Sequence, residues 1–258
     1  MFSPDRREAV RERLLSLAQA DPDVVGGAHT GSFALGAVDE WSDIDIALGV
    51  RGDVPPVVER WTRLLYESFG AVHHWDLPFG RTLYRVFLLP DRLEIDIAFA
   101  PEPEFGPRGP TWRLVFGTPA EPNRAGTVST SGPDNTIGLG WHHVLHAAAC
   151  IGRGKPWQAE WFIAQARHHV LELACRRFGL PDAHGRGTDQ LPPEIHEAMA
   201  ATLLGDLDER SLRRALDAVT GAFLTETAAV DPALADRLRP VCEEATSSGG
   251  DGPASSAG

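Results

Sequence analysis

Between residues 7 and 20, Val10, Leu14, Leu15 and Leu17 recur among charged residues, the three-to-four spacing that marks one apolar face of a helix. Asp21-Pro22-Asp23 interrupts that spacing. Val24-Val25-Gly26-Gly27-Ala28 then forms a short apolar run of strand character, which leads into His29-Thr30-Gly31-Ser32 and a brief helix over 33–38. Over 43–50, acidic or small residues alternate with Ile44, Ile46 and Leu48, and a period of two predicts a strand with two unlike faces. A second helix is expected over 57–69. Strands follow over 83–89 and 93–99, parted by the turn signal Pro90-Asp91-Arg92. Strands and helices interleave in this half.

The pattern changes over 101–133, where Pro, Gly and Thr accumulate around one short strand candidate at 112–116; the composition is that of a connection. Beyond it, 137–150, 156–178, 193–204, 209–225 and 232–245 carry helical spacing broken by Gly and Pro, which predicts a bundle of helices. The last residues, 247–258, hold only Ser, Gly, Ala, Pro and one Asp, too little apolar surface to offset the entropy of ordering. The expected organisation is an α/β domain over 1–118, a linker over 119–136, a helical domain over 137–246 and a disordered tail over 247–258.

Composition narrows the possibilities. With 43% apolar residues in 258, the chain can bury a real core. No stretch reaches the roughly 20 apolar residues of a membrane span, and the charged N-terminus has no signal-peptide apolar region, so the expected location is cytoplasmic. Cys150, Cys175 and Cys242 lie far apart without metal or redox spacing, and are expected to be buried thiols. The net charge is −12, and each half, 1–118 and 119–258, carries 12 basic and 18 acidic residues. Neither half has the clustered cationic footprint of a nucleic acid binder, so the balance favours a small acceptor, of cationic character, over a polynucleotide. Oligomeric state is not readable. Lys155 is the sole lysine beside 23 arginines.

Chemistry concentrates in the first half. Gly31-Ser32 stands where a strand yields to a helix, a place where free backbone N–H groups favour a phosphate and where Ser32 could cap the helix. After a gap of ten residues comes Asp43-Ile44-Asp45; residues i and i+2 of a strand share a face, their Cα atoms roughly 6 to 7 Å apart. Leu93-Glu94-Ile95-Asp96-Ile97 repeats the alternation, placing Glu94, Asp96 and Ala98 on one face of another strand. Acids are depleted in strands. Two carboxylates on one surface repel unless a cation intervenes, and Mg²⁺ suits carboxylate and phosphate oxygens together. Asp96 could complete the metal set or act as general base.

Gly31-Ser32, the ten-residue gap, Asp43-x-Asp45 and the later single Asp96 together resemble the DNA polymerase beta-like nucleotidyltransferase superfamily. In length and layout the chain is similar to its small two-domain members, the aminoglycoside and lincosamide nucleotidyltransferases. The resemblance implies a catalytic domain with a mixed sheet followed by an all-α helical bundle. It implies that Gly31 and Ser32 hold the triphosphate of ATP or another nucleoside triphosphate, and that Asp43, Asp45 and Asp96 bind Mg²⁺ or serve as base. The expected reaction moves a nucleoside monophosphate onto a hydroxyl of a small molecule, an antibiotic of aminoglycoside type among the acceptors. Nucleotidylation of a protein or tRNA, and a binding module without catalysis, are the competing readings.

In the helical half, Lys155 precedes a long helix carrying Glu160 and Arg167; Lys155 and Arg167 are expected to reach the triphosphate, and Glu160 is an alternative base. Trp157 and Trp161, four apart, read as a core pair more than as a stacking wall. His142-His143 and His168-His169 point about 100° apart within each pair, so neither pair chelates one ion by itself, and zinc is disfavoured. The glycines give neither a dinucleotide fingerprint nor a Walker loop.

Overall fold

The computed structural model describes residues 2–107, 109, 111–121 and 133–247. The chain divides into two compact units at residues 131 and 132. Most of the expected linker and all but the first residue of the expected tail lie outside the described residues.

In the first unit, α1 (Pro4–Ala20) starts behind Ser3, whose hydroxyl accepts from the Arg6 N–H at 3.1 Å, a side-chain cap on an otherwise unpaired donor. Then come β1 (Val24–Thr30), α2 (Gly31–Ala34), β2 (Ile44–Val50), α3 (Val54–Phe69), β3 (His73–Phe79), β4 (Thr82–Leu88), β5 (Glu94–Pro101) and β6 (Trp112–Gly117). The six strands form one sheet in the order β3-β4-β5-β2-β1-β6, with β2 and β5 parallel and the other pairs antiparallel. This is the mixed sheet of an α/β fold.

The two faces of the sheet differ as the alternation demands. Ile44, Ile46, Leu48, Ile95, Ile97 and Phe99 pack with Leu14 of α1 and with Trp61 and Leu65 of α3 in the main core. The opposite face carries Ala28, Ala47, Ala98 and Ala100 beneath Phe105. One face therefore holds large apolar groups and helices, while the other keeps small residues and leaves space above them.

Two elements depart from the sequence reading. The helix expected over 33–38 is one turn, α2, starting at Gly31. The segment 73–79, for which the alternation predicts no element, forms the edge strand β3, held by paired Asp76 and Arg85, whose Nε and Nη2 donate to the carboxylate at 2.6 Å each. Its sequence hides it: Pro78 and a mixture of half-buried residues give no alternation, and an edge strand tolerates proline.

The second unit is helical: α4 (Pro133–Gly152), α5 (Pro156–Arg177), α6 (Pro193–Ala200), α7 (Glu209–Val230) and α8 (Pro232–Ser247). Trp141, Val144, Ala166, Leu173, Leu216 and Phe223 are buried in it. A Cβ at Gly140 would overlap the Phe223 ring, so glycine is what lets α4 and α7 approach. Arg177 of α5 donates to both carboxylate oxygens of Glu226 on α7, at 2.9 and 2.7 Å, a paired geometry that fixes helix register. Trp157 and Trp161, expected as a core pair, are 76% and 51% exposed; the buried face of α5 instead runs through Ala159, Ile163, Ala166 and Val170. The three cysteines are buried and free. No helix among the described residues is long and apolar enough to cross a membrane.

Candidate active site

The small-residue face of the sheet is where the acids stand. β2 and β5 pair in parallel with Asp45 opposite Asp96, then Ala47 opposite Ala98. Directly opposed residues project to the same side of a sheet, so Asp45 and Asp96 share the face opened by the alanines. Asp43, one residue before β2, hydrogen-bonds through its side chain to Asp45.

Three half-buried carboxyl groups that feel one another's charge cannot all ionise at ordinary cost. Burial, then the charges of Asp43, Asp96 and Glu94, push the Asp45 carboxyl well above the usual carboxylate range. Burial, then Asp43 and Glu94, push Asp96 up to about 7. Oδ1 of Asp96 is buried without a hydrogen-bond partner, and so is Oγ of Ser32. A polar atom left in this way costs roughly 1 to 3 kcal/mol.

Gly31 closes one side of the group. Its φ is +57°, and a Cβ there would fall on the Asp45 carboxyl. No other residue type fits this close approach without displacing Asp45. Ser32 is not the helix cap expected of it: Thr30 occupies the cap position, with no side-chain cap hydrogen bond. The Ser32 hydroxyl is thereby left for something other than the helix backbone.

Beyond the acids the same face continues as a cavity of about 270 Å³. Ala47, Ala98 and Ala100 floor it, Thr30 and Gly31 border it, and Tyr84, Phe105 and Trp112 line it with Glu104. Phe105 and Trp112 meet edge to face, their ring centroids 5.6 Å apart.

Asp43 is placed by a network that the sequence reading passed over. Nη1 of Arg7 donates to the Asp39 carbonyl at 2.7 Å and to the Ser42 carbonyl at 2.8 Å. Ser42 Oγ accepts from the Asp39 N–H at 2.9 Å and donates to Asp39 Oδ1 at 2.8 Å, while the Trp41 N–H donates to the same Oδ1 at 3.0 Å. The turn before Asp43 is thus tied to α1. A signal was present: Arg7 falls in phase with Val10, Leu14 and Ala18, the buried stripe of α1, and a cation on an apolar stripe needs a partner.

Lys155 and Arg167 belong to the helical unit. Lys155 is exposed at the N-terminal end of α5. Arg167 is half-buried and occupied, its Nε donating to Thr202 Oγ1 at 2.6 Å and its Nη2 to the Thr202 carbonyl at 2.9 Å.

No family model matches the chain, and no curated protein matches it significantly. Among solved structures, it is similar to an aminoglycoside 6-adenyltransferase from Bacillus subtilis, with 11% identity, 96% of this chain and 98% of that one covered, and a TM-score of 0.40. It is also similar to a nucleotidyltransferase-like protein from Exiguobacterium sibiricum, with 14% identity, coverage of 90% and 79%, and a TM-score of 0.31.

Proposed function

We propose that the protein is a Mg²⁺-dependent nucleotidyltransferase that moves AMP from ATP to a hydroxyl of a small, amine-bearing acceptor of aminoglycoside type. The observation that carries this reading is the pairing of Asp45 with Asp96 across β2 and β5, with Asp43 bonded to Asp45 and Gly31 packed against it. The donor set fits a hard divalent cation, because every group is a carboxyl oxygen and one of those oxygens is buried without a partner. Asp43, Asp45 and Asp96 would hold it, and bound there it would offset the anionic charge of the triphosphate and of the departing pyrophosphate.

The chain's own groups divide the remaining work. The Ser32 hydroxyl donates to a phosphate oxygen, and the backbone at Gly31 lets the triphosphate lie close to the sheet. The acceptor occupies the cavity walled by Tyr84, Phe105 and Trp112, where Glu104 suits an ammonium group and the aromatic faces suit a ring bearing one. Asp96 takes the acceptor's hydroxyl proton. The oxygen so freed attacks the α-phosphorus, a new P–O bond forms, and the bond to the bridging oxygen of pyrophosphate breaks.

The test is pyrophosphate release from ATP and the other nucleoside triphosphates, with Mg²⁺ and a panel of hydroxylated amines. Release that needs both Mg²⁺ and an acceptor, with the acceptor heavier by one nucleotide, is the expected result. Silence with every triphosphate and acceptor, or modification of a protein or tRNA alone, contradicts the reading.

A further inference from the structure

The helical unit gathers histidines from two helices. On α4, His142 and His146 are four residues apart, and their ring centroids lie 4.2 Å from each other. A ring nitrogen of one lies within 4.8 Å of a ring nitrogen of the other. His143, between them in sequence, turns to α5: its Nδ1 shares a hydrogen bond with His169 Nε2 at 3.1 Å, and His169 Nδ1 meets Glu172 Oε2 at 3.1 Å. The two rings stack with centroids 5.1 Å apart.

These arrangements have different chemistry. His143 and His169 are buried and satisfy each other, which accounts for them as packing between helices. His142 and His146 are half-buried and one helical turn apart, the spacing at which two imidazoles reach a single ion from one helix face. Adjacent histidines diverge by about 100°, whereas residues four apart differ by about 40°, so excluding each adjacent pair leaves this one untouched.

We propose that His142 and His146 form a binding site for a borderline divalent transition metal, zinc first, built on imidazole nitrogens rather than on carboxylates alone. Two neutral imidazole nitrogens bind Zn²⁺ or Ni²⁺ at about 2.0 to 2.1 Å and discriminate against Mg²⁺, which keeps oxygen ligands. Two protein ligands leave coordination positions for water or for an incoming oxygen or nitrogen donor. The hydrogen-bonded His143–His169–Glu172 chain holds the neighbouring part of α4 against α5, so ion binding needs side-chain rotation rather than movement of the helix.

Calorimetric titration of the full chain with ZnCl₂ or NiCl₂, in excess Mg²⁺ to occupy the carboxylates, tests the site. The expected result is one equivalent of tight binding, weakened at least tenfold by His142→Gln or by His146→Gln, and unchanged by His168→Gln. Loss of binding in His168→Gln, or equal binding by wild type and the His142→Gln/His146→Gln double variant, overturns the proposal; so does an absence of zinc binding. Should a variant fail to fold, X-ray absorption of zinc-loaded wild type decides: two imidazole nitrogens in the first shell support the site, and a shell of oxygens alone overturns it. This outcome is independent of whether the acids of the sheet transfer nucleotides.

Discussion

Asp45 sits where β2, the residue before it and β5 each bring a carboxyl to one place, and the polypeptide holds it there against repulsion. Stability and activity should therefore separate at this residue. Asp45→Asn removes a charge that Asp43, Asp96 and Glu94 oppose, so the metal-free variant should melt a few degrees above wild type, where roughly 1 kcal/mol shifts a chain of this size by about 2 to 4 °C. Its pyrophosphate release should fall by about 100-fold or more, because a carboxylate of the proposed metal set is gone. Calorimetric melting and a rate assay on the same preparation check both. At Gly31 the two properties should fall together: Gly31→Ala forces a Cβ onto the Asp45 carboxyl at a φ of +57°, which should cost about 1 to 3 kcal/mol in urea unfolding and most of the turnover. Gly31, Ser32, Asp43, Asp45 and Asp96 were legible because each belongs to a period-two alternation or a strand-to-helix break. The Ser32 environment was not, since no local pattern tells that Thr30 takes the cap position.

Elements place these residues, and α1 does more than cover the sheet. Arg7 holds the Asp39 and Ser42 carbonyls, so Arg7→Ala should loosen the turn before Asp43 and lower kcat by about tenfold or more, with a smaller change in KM for ATP. Arg7→Lys should recover part of the rate but not all, because one ammonium does not reproduce the geometry of a guanidinium. Steady-state kinetics on the three proteins distinguishes this positioning role from simple destabilisation, which would lower the active fraction and leave KM unaltered. At its other end, α1 is tied to α3 through Asp21, which accepts from Arg60 at 2.8 Å and from Trp61 Nε1 at 2.9 Å. Burial raises the Asp21 pKa, but the bonds from Arg60, the Asp23 backbone and Trp61 outweigh it and hold the carboxyl below its ordinary value. A depressed pKa gives stability that is complete above the unfolded-state value of about 3.9 and is lost as pH falls through the folded value. Asp21→Asn should accordingly be less stable than wild type at neutral pH, with the difference shrinking below about pH 4, as urea titrations across that range would show. Neither contact is periodic in sequence, which is why α1 and α3 were readable as helices but their connection was not.

Across the molecule, the change from interleaved strands and helices to helices alone marked two kinds of architecture, and the structure has an α/β unit and a helical unit. Long periodic segments carried that reading, as in α3, α5 and α7, while β3 escaped it because an edge strand need not alternate. The exposure of Trp157 and Trp161 escaped it for a related reason: spacing of four tells which residues share a face but not which face is buried. The pocket beside the acids also has no linear signature, since Thr30, Tyr84, Ala98 and Trp112 come from four different strands. The proposed function requires that the carboxyls of Asp43, Asp45 and Asp96 together bind a divalent cation with the nucleotide. Water-proton relaxation during titration with Mn²⁺ and ATP measures this directly. Wild type should bind the manganese–nucleotide complex, and Asp45→Asn/Asp96→Asn should lose that binding while staying folded; equal binding by the two proteins would contradict it.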